Sequence, residues 1–113
     1  MRAETLKGHL DALLLAVLED GDAHGYAVIE ALRERSDGMF DLPTGTIYPA
    51  LHRLQRTGLI ASRWEDGQGR RRRIYTLTTA GREALHTERA GWAEFSTAVS
   101  RLLAGERAWP ATP

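Results

Sequence analysis

The 113 residues contain no cysteine. That excludes disulfides, thiolate metal sites and a cysteine nucleophile, and it fits a reducing compartment. Net charge is also absent: fifteen Lys plus Arg balance fifteen Asp plus Glu, so the total points to no polyanionic partner. Long apolar runs are missing. The best candidate, Ala12 to Leu18, is too short to span a bilayer and has acids on both sides. It follows His9 and Asp11 and lacks a small-residue cleavage site, so neither a membrane span nor a secretory leader is expected. The histidines His9, His24, His52 and His86 have no paired ligand spacing, and no P-loop, HExxH, nucleophile elbow or glycine fingerprint precedes a helix. Gly67-x-Gly69 is explained by a turn. No enzyme, metal site or bound cofactor is expected. There is no internal repeat, and the length allows one domain with a modest core, which favours a partner.

The even balance hides an uneven distribution. Residues 1–43 hold four basic and nine acidic residues, residues 44–82 hold eight arginines against Glu65 and Asp66, and residues 83–113 hold three basic against four acidic. One basic segment between acidic ones describes a polyanion-binding face on a neutral body, although a solvated surface would read the same from charge alone.

Apolar spacing supplies the elements. Leu6, Leu10, Leu13, Leu14, Val17 and Leu18 recur at three and four residues, predicting an amphipathic helix that stops before Gly21. A second helix starts at His24 or Gly25, has its apolar positions at Tyr26, Ile29 and Leu32, and ends near Ser36-Asp37-Gly38. After Pro43, the residues Ile47, Ala50, Leu51 and Leu54 lie on one face of a third helix that Gly58 ends. The period then changes: Leu59 to Trp64 and Arg73 to Leu77 read as strands joined at a tip, Glu65 to Gly69. A fourth helix follows a cap at Thr78 or Thr79 and runs to about Leu103, before Gly105. Its seam is Leu85, Trp92 and Val99 at seven-residue spacing, with Phe95, Leu102 and Leu103 alongside. The expected fold is mainly α with a small β-hairpin, a winged helix-turn-helix with a long C-terminal dimerisation helix. The expected boundaries are a head over 1–77, a helix over 78–105 and a frayed tail over 106–113.

Two parts of this chain suit DNA. With Ile47, Leu51 and Leu54 turned inward, the third helix presents Thr46, Tyr48, Pro49, His52, Arg53 and Arg56 outward, and no acid lies between Asp41 and Glu65. Thr44, Thr46 and the unpaired N–H groups at the helix start suit a phosphate, while Tyr48, His52 and Arg53 would read bases. Pro49 requires that the helix begin late, with a cap at Thr46, or that it kink. The second part is the run Arg70 to Arg73. Short basic runs also arise as solvated faces, but arginines at a hairpin tip can enter a narrow minor groove. Arg71 and Arg73 share a face with Tyr75; if Tyr75 is core, Arg73 serves the fold more than the DNA.

The stretch Gly45-Thr46-Ile47-Tyr48-Pro49-Ala50-Leu51-x-Arg53-Leu54, then Gly58-Leu59-Ile60, Trp64, the arginine-rich wing and Tyr75-x-Leu77-Thr78-x-x-Gly81, resembles the PadR family of bacterial transcriptional regulators. Gly25-Tyr26 fits the same pattern. The resemblance spans about residues 6 to 104, and the single C-terminal helix is similar to the shorter subfamily. It implies an N-terminal winged helix domain, a C-terminal dimerisation helix, and repression relieved by a small molecule. Carried over, Tyr48 and its neighbours contact DNA and Arg70, Arg71 and Arg72 form the wing contacts. Trp92 corresponds to a tryptophan that in some drug-binding members stacks planar aromatic ligands across the dimer; packing at a heptad position explains it equally well.

Together these readings imply a regulator that binds a double-stranded, roughly palindromic operator as a homodimer and acts in the bacterial cytoplasm, at the nucleoid when bound. Half-sites would lie one or more helical turns, about 34 Å each, apart. The dimer interface is assigned to Leu6, Leu10, Leu85, Trp92, Phe95, Val99 and Leu102, with a small aromatic or hydrophobic effector at Trp92. The competing reading is a winged helix used as a protein-protein module without DNA.

Overall fold

The computed structural model describes Leu6, residues 8–67 and residues 69–105. The tail expected to fray over 106–113 lies outside them. Among the described residues the order is α1 (Leu10–Glu19), β1 (Ala23–His24), α2 (Gly25–Arg35), α3 (Thr44–Arg56), β2 (Ile60–Gly67), β3 (Arg70–Leu77) and α4 (Thr79–Leu103). Helix α1 is apolar around most of its circumference because it sits centrally: Leu14, Leu15 and Leu18 are almost fully buried, with Leu10 and Leu13 packed at the edge of the core. Around it gather Val28 and Leu32 of α2, Ile47, Leu51 and Leu54 of α3, Ile60 of β2, and Tyr75 and Leu77 of β3. This is the expected head of three helices and a hairpin.

The helix ends follow from local chemistry. The imidazole Nδ1 of His24 accepts from the Ala27 N–H at 3.3 Å and so caps α2. Helix α3 ends in a left-handed Gly58 (φ 83°), where the Gly58 N–H donates to the Gln55 carbonyl at 3.1 Å and the Leu59 N–H to the Leu54 carbonyl at 3.0 Å. Helix α2 ends the same way, with the Asp37 N–H on the Glu34 carbonyl at 3.2 Å and the Gly38 N–H on the Arg33 carbonyl at 2.7 Å. Here a non-glycine residue, Asp37 (φ 54°), occupies the left-handed position. Asp37→Gly should therefore stabilise the fold by up to about 1 kcal/mol, read as a raised denaturation midpoint.

Three expectations are corrected. The sheet has three antiparallel strands in the order β1-β3-β2, because Ala23 and His24 pair with Tyr75 and Ile74. The hairpin is longer than its apolar residues suggest: pairing continues through Trp64↔Arg73, Glu65↔Arg72, Asp66↔Arg71 and Gly67↔Arg70. Arg70, Arg71 and Arg72 thus lie on a strand and not on a tip loop, with Arg71 and Arg72 opposite acids. Helix α3 begins at Thr44 with Pro43 at the cap position, so Thr46 is not the cap. Pro49 is well inside the helix and has no N–H for the Gly45 carbonyl, which lies on an exposed residue where water can take its place.

The Thr78-x-x-Gly81 motif ties the wing to α4. The Thr78 hydroxyl accepts from the Gly81 N–H at 3.0 Å and faces the Gly58 and Leu59 carbonyls at 2.7 and 2.9 Å. The Thr78 N–H also donates to the Leu59 carbonyl, at 3.2 Å. Gly81 is buried so tightly that a Cβ there would overlap the Leu59 carbonyl oxygen. One turn later Leu85, 3% exposed, joins the core. Leu85 therefore fills the chain's own interior and offers no surface to a second copy. Leu6 is buried too, and the same correction applies.

Beyond Leu85, α4 rests on α1 through Glu19, whose two carboxylate oxygens accept from the Arg89 guanidinium at 2.9 and 3.3 Å. That hydrogen-bonded guanidinium holds the Glu19 carboxyl below the usual carboxylate range. A carboxyl with a depressed folded-state pKa contributes stability at neutral pH and loses it as pH falls through that folded value. The difference in thermal midpoint between the wild type and Glu19→Gln should therefore be present at neutral pH and vanish in acid below the carboxylate range. Both side chains are partly exposed, so the difference will be small and salt-sensitive.

Candidate nucleic-acid interface

Helix α3 is positioned by its inner face. Ile47, Ala50, Leu51 and Leu54 are buried, which turns Pro49, His52, Arg53 and Arg56 out, with Thr46 and Tyr48 at the flanks. Thr44 is exposed in the first turn, where its own N–H and that of Gly45 have no acceptor within the helix. The Thr46 and Ile47 N–H groups are taken by the Pro43 carbonyl at 3.0 and 3.1 Å.

Opposite this helix runs the wing, and between them lies a cleft of about 660 Å³. Tyr48 and His52 of α3 line it together with Trp64, Arg70 to Arg73 and the buried Tyr75 of the wing and with His24, Gly25 and Tyr26 from β1 and the start of α2. Tyr75 is 1% exposed. Burial pushes its phenol pKa up, while the Arg73 charge works the other way. The cleft combines aromatic faces with guanidinium groups, a lining suited to phosphates and base edges.

Gly25 sets the tyrosine's place. A Cβ at Gly25 would come within 2.5–2.6 Å of Cε1, Cζ and Oη of Tyr48. Only the end of one side chain blocks it, so Gly25→Ala should fold and displace the Tyr48 ring. The expected result is a loss of DNA affinity of about 10-fold, the size of one good contact, with a thermal midpoint close to wild type. A Tyr48→Ala variant should show a similar loss, and the two changes together should be less than additive.

Ion pairs divide the arginines. Arg53 pairs with Asp11 of α1, which places it at the seam between two helices and outside the cleft lining. Arg63 binds Asp22 at 3.0 Å and Glu65 at 3.3 Å, and Arg71 approaches Asp66 at 3.7 Å. No acidic partner is found among the described residues for Arg70, Arg72 and Arg73. Arg72, on the alternate face of β3 from Arg71, also lines a smaller hollow with His24, Glu65, Asp66 and Ile74.

The structure thus brings together Tyr48, His52 and Arg70 to Arg72 of the expected DNA-binding set. Thr44, Thr46 and Pro49 lie along α3 outside the cleft lining, and Arg53 is engaged elsewhere. Among the cleft residues not singled out for contact from the sequence are His24, Tyr26, Arg73 and Trp64. His24 caps α2 and lines the cleft, a role a lone histidine does not announce. Trp64 projects 53% exposed from β2, with the Arg71 and Arg73 guanidinium carbons 5.0 and 5.1 Å from its ring centroid. Its alternation with Ile60 and Ser62 along the strand was the available signal.

Three helices, an antiparallel hairpin and a basic, aromatic cleft between the third helix and that hairpin define a winged helix DNA-binding regulator. Comparison with known proteins sharpens this. The chain belongs to the PadR-like family of transcriptional regulators, whose model matches residues 14–87. It is 36% identical to the transcriptional regulator Rv3488 of Mycobacterium tuberculosis over 80 residues, 71% of this chain and 72% of that protein. The crystal structure of a PadR-like transcriptional regulator from Bacillus cereus superposes with a TM-score of 0.81 at 30% identity, covering 92% of this chain and 100% of the other. A PadR family regulator from Clostridium difficile gives 0.77 at 33% identity, covering 85% and 99%. The chain is a DNA-binding transcriptional regulator and not an enzyme. Among the described residues no helix is long and apolar enough to cross a membrane.

Proposed function

We propose that this regulator is a repressor that grips a roughly palindromic operator as a homodimer, in a bacterial cytoplasm, and is released by a small aromatic or hydrophobic molecule. The observation that carries the dimer is the apolar surface of α4: Trp92 and Phe95 are 56% and 59% exposed, and Leu102 and Leu103 more so. A helix whose second half has no buried residue is covered by a second copy of itself. The interface then comprises Trp92, Phe95, Val99 and Leu102, with Leu10 at its edge, and residues 78–105 act as the dimerisation element beside the head.

On the DNA side, Tyr48 and His52 read bases while Thr44, Thr46, Pro49 and the wing arginines Arg70, Arg71 and Arg72 fix the register on the backbone. Arg53 joins them only by leaving Asp11. The effector acts by linkage, favouring a spacing of the two heads that does not match the operator. The contact of Trp92 with Phe95, at 5.9 Å between ring centroids, supports an aromatic site there.

The test is a titration of duplex DNA at several salt concentrations alongside sedimentation. A dimer whose affinity falls steeply with salt is the expected result, and Arg71→Glu should abolish binding while the dimer persists. A flat salt dependence, or a monomer at working concentration, overturns the reading. For the effector, a planar aromatic compound that quenches Trp92 fluorescence without changing operator affinity removes induction from the proposal.

A further inference from the structure

We infer that Trp64 is a positioning residue for DNA binding: its indole holds Arg71 and Arg73 as a pair facing the cleft, so that both, and not Arg71 alone, engage the phosphate backbone of duplex DNA. The inference rests on the DNA-binding reading above and adds to it a residue, Arg73, that the sequence assigns to the fold.

Several observations converge. Trp64 lies opposite Arg73 in the β2–β3 register, and Arg71 is the next residue on the same face of β3. Both guanidinium carbons are about equally far from the ring, 5.0 and 5.1 Å, within the range where a cation is attracted by an aromatic face. Two like charges gathered at one ring repel each other in the free protein, and an anion between them removes that repulsion. Trp64, Arg71 and Arg73 all line the cleft across from Tyr48 and His52. Arg73 also has a buried Nε with no hydrogen-bond partner among the described residues. A purely structural arginine would satisfy that donor within the fold, whereas this side chain is held by its neighbours while Arg71 leans on Asp66.

Indole is suited to this task. Arginine side chains have many rotamers, and ordering two of them at the moment of binding is costly. A ring already stacked on both lowers that cost. Trp64 is half exposed and outside the core cluster, so its replacement leaves the fold in place.

The experiment compares wild type, Trp64→Leu and Trp64→Phe for binding to a random-sequence duplex across a range of salt concentrations. Phosphate contacts are read by the slope of log affinity against log salt, about 0.9 for each phosphate neutralised. Trp64→Leu should make the slope shallower by about one to two, and Trp64→Phe, which keeps an aromatic face, should restore most of it. Arg73→Gln should reproduce the shallower slope by about one unit. Equal slopes for wild type and Trp64→Leu, or a Trp64→Phe slope as shallow as that of Trp64→Leu, overturn the inference while leaving DNA binding standing. Failure of the wild type to bind the duplex even at low salt overturns both readings. A change confined to the thermal midpoint, with slopes unaltered, shows that Trp64 serves packing and also overturns the inference.

Discussion

Replacing Trp92 and Phe95 together by aspartate is expected to leave a folded monomer whose operator affinity is lower by about 100- to 10,000-fold, the range in which linking two binding modules raises avidity. The fold survives because neither residue belongs to the core, which α4 leaves after Leu85. Among the described residues, the aromatic neighbours of Trp92 are the His9 ring, edge-to-face at 5.6 Å, and Phe95. Two carboxylates from each copy would have to be stripped of water in a closed apolar interface, which a small interface cannot offset. Each head would keep its cleft and bind a half-site, so the loss should be concentrated in operator binding and be much smaller on a single half-site. Sedimentation, circular dichroism and anisotropy on both duplexes give the answer. A double variant that stays dimeric would remove α4 from the interface.

The second large effect is expected at Gly81. Gly81→Ala should cost about 1–3 kcal/mol, the usual range for overpacking, which lowers the thermal midpoint by roughly 4–8 °C for each kcal/mol in a domain of this size. The added methyl would overlap the Leu59 carbonyl oxygen and approach Leu77 Cδ1 at 2.7 Å. The oxygen is backbone and also accepts from the Thr78 N–H, so it cannot swing aside like a side-chain tip. Gly91 on the same helix provides the contrast, since a Cβ there meets nothing within 4 Å. Gly91→Ala, measured in the monomeric background, should stabilise by up to about 1 kcal/mol through helix propensity. Equal effects at the two glycines would mean that the approach of α4 to the wing base is not tight.

The helices were legible in the sequence because their apolar spacing matches the faces they bury, as with Ile47, Ala50, Leu51 and Leu54. Strand β1 was not, since two residues carry no period. The outer half of the wing reads as a turn because Glu65, Asp66 and the arginines are polar on both faces; the backbone ladder nevertheless continues, with Glu65 opposite Arg72 and Asp66 opposite Arg71, which alternation of hydrophobicity cannot register. Heptad spacing placed Leu85 with Trp92, yet the first turns of α4 lie against the head, so a continuous seam is divided between the core and the surface. At the site, the basic helix and wing were visible as charge. The engagement of Arg53 by Asp11, forty-two residues away in sequence, and the gathering of Arg71 and Arg73 on Trp64 are tertiary facts that no local pattern contains.

The stitching at Thr78 has a mechanical consequence. One hydroxyl joins the end of α3, the start of β2 and the first turn of α4, and Gly81 leaves no clearance beside it. There is no joint at the shoulder of the long helix. In a dimer built on α4, the helix therefore behaves as a rigid lever whose short arm is the wing. A small change in the angle between two such helices, far from any phosphate, must turn both wings with them.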